Sequence, residues 1–140
     1  MSESPTNEPR EPYAWLLLVG RHDLFHPPFV LHEEKEIASL VKEWRKERSS
    51  HWPQIPYQFS ICWSVGKICF HASHVENNAP VDGFLFYGIC PPFEKEVALQ
   101  ELSSLGALLS TRFGQPYVEL HLVSEIYKLR RNRTEEEKLT

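Results

Sequence analysis

Pro91-Pro92-Phe93-Glu94-Lys95-Glu96-Val97-Ala98 has an echo earlier in the chain, where Pro27-Pro28-Phe29 is soon followed by Glu34-Lys35-Glu36-Ile37-Ala38. Each copy follows an apolar run, Tyr13 to Gly20 before the first and Phe84 to Ile89 before the second. Each leads into a helical pattern and then into further strand. After Glu33, apolar residues Ile37, Leu40, Val41 and Trp44 recur at i, i+3, i+4 and i+7, which predicts a helix over 33–48. After Phe93, Ala98, Leu102, Leu105 and Leu109 predict a second helix that ends at Gly114 and Pro116.

Between the helices, Tyr57, Phe59, Ile61 and Trp63 alternate with polar residues, the period of a strand with one buried face. Ser64-Val65-Gly66-Lys67 reads as a hairpin turn, and Ile68, Phe70 and Ala72 as the returning strand. Residues 74–83 read as a loop, and Tyr117 to Val123 alternates again as a final strand. The order β-α-β-β-(β)-α-β predicts an α+β ferredoxin-like sandwich: two split β-α-β halves, with two helices on one face of a mainly antiparallel sheet. Residues 1–11 read as a disordered tail, 12–129 as one domain and 130–140 as a charged tail.

The chain has 140 residues, with 41% hydrophobic and 24% charged, within the globular range. A net charge of −4 supplies no general field for nucleic acid. The basic cluster Lys128, Arg130, Arg131 and Arg133 runs straight into Glu135-Glu136-Glu137, which counts against phosphate binding. Lys42, Arg45, Lys46 and Arg48 are interleaved with glutamates and read as solvated surface. The N-terminus lacks the basic start and apolar core of a secretion signal. The longest apolar stretch, Ala14 to Val19, is too short to span a bilayer. Three cysteines, Cys62, Cys69 and Cys90, without C-x-x-C spacing read as reduced thiols in a cytoplasmic protein.

Three groups of residues carry chemistry. Phe70-His71-Ala72 and Leu120-His121-Leu122 place one histidine in a predicted strand of each half. Two imidazoles across a cleft can divide general acid and general base roles. His71-Ala72-Ser73 is similar to one H-x-[ST] motif of the two-histidine phosphoesterases, and the resemblance implies His71, His121 and Ser73 as catalytic residues. His121-Leu122-Val123 departs from the motif, because Val123 stands where the hydroxyl belongs.

Cys62, Cys69, His71 and His74 offer zinc-type donors, with Cys62 placed across the predicted hairpin from the others, but match no common module. No metal or cofactor is assigned; no Gly-rich phosphate loop is present. His22, His26 and His32 gather near Asp23 and Glu33 in the loop before the first helix. The segment Gly83 to Ile89 is apolar on both faces, and one face needs a cover that two helices do not supply.

The sequence therefore reads as a non-enzymatic interaction or regulatory module, homodimeric through apolar sheet surface. The alternatives are a phosphodiester hydrolase using His71 and His121, and single-stranded nucleic-acid binding on the sheet.

Overall fold

Tyr13–Gly20 (β1) lies at the heart of a four-stranded antiparallel sheet. The computed structural model describes residues 12–51, 55–70, 79–92 and 94–123. The other strands are β2 (Cys62–Ile68), β3 (Val81–Cys90) and β4 (Glu119–Val123), in the spatial order β2-β3-β1-β4. Two helices, α1 (Ile37–Ser49) and α2 (Lys95–Phe113), pack on one face. This is the ferredoxin-like α+β arrangement.

Both Glu-Lys-Glu segments open helices. Glu34–Glu36 forms a 3-10 turn that runs into α1, and the Glu36 carboxylate accepts the backbone N–H of Glu33 at 2.7 Å. Glu94 precedes the first residue of α2, where an acidic side chain complements the helix dipole. Gly114 ends α2 in the left-handed conformation (φ 63), and the N–H of Gln115 reaches back to Ser110 O at 2.9 Å.

Alternation along the strands sorts the core. Trp15, Leu17 and Val19 face the helices with Phe84 and Phe86, against Leu40, Trp44, Leu102, Leu105 and Leu109. Leu16, Leu18, Leu85, Tyr87, Ile89 and Val123 point to the other face, and no described element covers them. The prediction that β3 is apolar on both faces holds: Phe84 and Phe86 are buried, whereas Tyr87 and Ile89 are nearly half exposed.

Three boundaries differ from the sequence reading. β3 begins at Val81, inside the segment read as a loop. Ser64–Lys67 is no turn; β2 runs straight through it, with Gly66 opposite Gly83 and Gly83 opposite Gly20. A row of glycines thus crosses three strands, and Gly66 belongs to it. Tyr57 is not in a strand either, since Ile55–Gln58 forms a single helical turn. Ser60 then takes up pairing with β3: its N–H donates to Ile89 O and its Oγ accepts the Ile89 N–H. The inward pattern is still kept, with Phe59 buried and Ile61 and Trp63 packed against the core.

One charged pair is locked between the helices. Glu101 of α2 is fully buried and accepts from Arg48 of α1, Nε to Oε1 at 3.1 Å and Nη2 to Oε2. The guanidinium is held in its charged form by the carboxylate it donates to. Glu43 and Arg112 make an exposed counterpart at 2.8 Å. Removing one member of a buried pair leaves the other charge unpaired. Glu101→Ala should therefore cost about 3–5 kcal/mol, read by denaturant unfolding, whereas Glu43→Ala should cost about 1 kcal/mol or less. Equal effects of the two substitutions would refute the distinction.

Candidate functional site

The chain leaves β1 at Gly20 and enters a loop tied down from three sides. Arg21 N–H donates to Asp82 O of β3, His32 N–H to Arg21 O, and Leu24 N–H to Gly114 O at the end of α2. His22 and Leu31 form a backbone bridge. At the centre is Asp23, only 4% exposed. Its Oδ1 accepts the N–H groups of Phe25 and His26 at 2.9 and 2.8 Å. Its Oδ2 meets His26 Nδ1 at 3.2 Å and His32 Nε2 at 3.3 Å.

The other nitrogen of His32 meets Glu36 at 3.1 Å, and its ring lies 5.1 Å from that of Phe113. A neutral imidazole can donate to one of these carboxylates; a doubly protonated ring satisfies both. Burial opposes the charge on Asp23, but the two backbone N–H donors and the two imidazoles outweigh it. They hold the carboxyl well below its ordinary value of 3.8.

A cleft of about 420 Å³ opens beside this loop at the end of the sheet. Its lining includes Gly20, His22, Phe70, Asp82, Gln115 and Tyr117. Phe70 and Tyr117 meet edge to face at 5.4 Å. Gln115 is buried, and its Nε2 donates to His22 O at 2.6 Å and Phe113 O at 3.1 Å. A Cβ at position 20 would run into the Gln115 amide, which its two hydrogen bonds hold in place. Asp82 pairs with Lys67 at 2.6 Å, which lowers its pKa and keeps it ionised. The volume falls in the range of small-ligand sites, and the lining mixes aromatic rings with a few polar groups, as such sites do.

Of the histidines singled out from sequence, His22, His26 and His32 belong to this loop, whereas His121 does not. His121 projects from β4 on the open face, opposite Leu16, with its Nε2 2.9 Å from Glu119. His71, Ser73 and His74 lie outside the described residues. Cys62 and Cys69 are not brought together across a hairpin, because both belong to one extended stretch. Cys62 opens β2 and Cys69 follows its last residue, roughly 20 Å away at strand rise. Among the described residues, no group of three or more His, Cys, Asp or Glu is arranged to hold a metal. Cys90 is buried, and burial raises its thiol pKa, the reverse of a nucleophile's setting.

The Asp23 cluster was legible only as histidines near an acid in one loop. Phe70, Gln115 and Tyr117 carried no signal, since their chemistry arises from the fold bringing distant segments together.

No protein-family model matches the chain, and no curated protein matches it. Among solved structures, it is similar to a phage SAM lyase in complex with S-methyl-5'-thioadenosine. The TM-score is 0.53 at 15% identity, over 87% of this chain and 92% of that one. A phage SAM lyase in the apo state aligns with a TM-score of 0.48 at 17% identity, over 96% and 99% of the two chains. At 15% identity the likeness to the first of these concerns the fold alone. No helix among the described residues is long and apolar enough to cross a membrane.

The Asp23 clamp has an acid signature. A carboxyl whose folded pKa is depressed contributes stability that is complete above its unfolded value and lost as pH falls below it. Wild-type protein should lose stability steeply below about pH 4. Asp23→Asn should be less stable at pH 7 and show a shallower fall toward pH 2, measured by thermal melts across pH. Parallel curves for the two proteins would count against the clamp.

Proposed function

We propose that the chain binds a small nucleoside-type ligand in the end-of-sheet cleft, and that the ligand class is adenosine carrying a thioether or sulfonium at its 5' position. The observation that carries this reading is the cleft itself. Two aromatic rings, Phe70 and Tyr117, offer a surface for a flat base. Asp82, ionised by its pairing with Lys67, offers further acceptor lone pairs for ribose hydroxyls. The near full-length likeness to a lyase holding S-methyl-5'-thioadenosine supports the same ligand class. It also supports an enzymatic role on that ligand class.

The experiment is calorimetric titration with S-adenosylmethionine and S-methyl-5'-thioadenosine, followed by chromatography for turnover of the former. Binding of either should be weakened about tenfold or more by Tyr117→Ala, the loss expected when an aromatic platform is removed. Absence of binding at millimolar ligand by the wild type would overturn the proposal.

A second reading rests on a separate observation. The face bearing Leu16, Leu18, Leu85, Tyr87 and Ile89 is apolar and uncovered by any described element. It supports self-association, the role read from the sequence as that of a non-enzymatic module, and a homodimer can carry a ligand site as well. The same strand positions include no Lys or Arg, and Tyr87 is their one aromatic, which disfavours a nucleic-acid platform. Tyr87→Glu should shift the sedimenting mass toward monomer, because a charge buried without a partner is costly. A monomer mass for the wild type at all concentrations would sink this reading. The phosphodiester reading requires His71 beside His121; that pairing remains a proposal, tested by alanine replacement of either residue in a phosphodiesterase assay.

A further inference from the structure

A second cleft, of about 350 Å³, lies between α1 and the start of β2. Ala38, Val41, Lys42 and Arg45 line it from the helix, and Tyr57, Ile61 and Trp63 from the segment leading into the strand. Positions 38, 41, 42 and 45 are one helical face, so the two cations stand side by side, one turn apart.

In sequence, the basic residues of α1 looked balanced by its glutamates. The fold undoes that balance. Glu43 turns to Arg112 of the other helix, and Glu47 to His51 at 3.7 Å. Arg48 leaves for the buried Glu101. Lys42 and Arg45 are left facing the cleft without a carboxylate among the described residues.

Arg45 is also held in place. Its Nη2 donates to Phe59 O at 2.8 Å, and its guanidinium carbon sits 5.9 Å from the Tyr57 ring centre. Its Nε–H is buried with no acceptor. A fixed guanidinium, a second cation and aromatic walls are the groups that recognise an oxyanion on a flat body. The end-of-sheet cleft has the opposite character, with a carboxylate as its charged group.

We propose that this cleft binds an oxyanion, a phosphate or a carboxylate, carried on a flat apolar body. The oxyanion lies against Arg45 and Lys42, and the flat body against Trp63 and Tyr57. Nothing in this assignment depends on the nucleoside reading, and the two sites share no lining residue.

The test uses the full chain and three probes of one shape: phenyl phosphate, benzoate and uncharged phenol. Binding is followed by titration, with the Trp63 indole N–H resonance, assigned by Trp63→Phe, as the local reporter. Both anions, or one of them, should shift that resonance with at least about tenfold tighter binding than phenol, the size of a charge-assisted hydrogen bond. The ratio of phenyl phosphate to benzoate then separates the phosphate and carboxylate arms. Arg45→Gln should abolish the anion preference. Lys42→Ala, an exposed change that removes no described hydrogen bond, should weaken it severalfold, and a circular dichroism spectrum checks that each variant is folded. Phenol binding as tightly as both anions would overturn the proposal and leave a plain apolar groove. So would an unmoved Trp63 resonance at about 10 mM probe, a concentration well above that of specific millimolar binding, or folded Arg45→Gln and Lys42→Ala proteins that keep the wild-type anion preference.

Discussion

The Asp23 carboxylate is the constraint on which the working end of the molecule depends. It is buried, yet two backbone N–H groups of its own turn donate to it and two imidazole nitrogens lie at hydrogen-bond distance. A charge that costs so much to desolvate is kept only where its hydrogen bonds are complete. The same carboxylate occupies the space above Gly114, where a side chain would strike it. Gly114 is thus required twice, by its left-handed backbone and by its neighbour. The end of α2, the exit of β1 and the start of the first helical turn are joined through this one group. The end-of-sheet cleft is built on that junction, because Gly20, His22 and Gln115 all belong to it.

Charge placement elsewhere follows a related logic. The α1 helix carries two acids, Glu43 and Glu47, among four bases, and sequence spacing alone pairs them along its own surface. In the fold, several of its charges are spent across to α2 instead, one pair buried and one exposed. The buried pair fixes how the two helices meet, since late α1 is joined to early α2. The antiparallel crossing is the one a split β-α-β pair requires. The crossing takes Glu43 and Arg48 from α1, and Lys42 and Arg45 are left facing a cleft with aromatic walls. Helix packing and the character of that cleft are therefore one event.

Much of the fold was readable because its signals are local. The β1 run ending in Gly20, the α1 stripe from Ile37 to Trp44 and the Gly114–Pro116 stop each depend on neighbours a few residues away. Gly66 misled for the same reason. Beside Ser64 and Lys67 it has the composition of a turn, but its role is set by Gly83 and Gly20 on adjacent strands, which no local window contains. Tyr57 misled because its alternation with Phe59 and Ile61 describes burial correctly and backbone incorrectly. Ser60 replaces part of the strand ladder with its hydroxyl, so inward-facing residues persist where the strand has not yet begun.

The candidate sites were less legible than the fold, and the reason is distance along the chain. Phe70 meets Tyr117, and His22 meets Gln115, only because β1, β3 and the end of α2 converge. The paired histidines stood out because each sat between apolar residues in a strand, a pattern that marks a sheet face and says nothing about what lies across it. His121 illustrates the limit. Its flanking leucines point to the helices, its own ring points away, and its nearest partner is Glu119 two residues back on the same strand. Strand alternation forces such a pair onto one face whatever the protein does. A histidine found this way is evidence of the sheet before it is evidence of a site, whereas a cleft whose polar groups come from separate elements owes its chemistry to the fold as a whole.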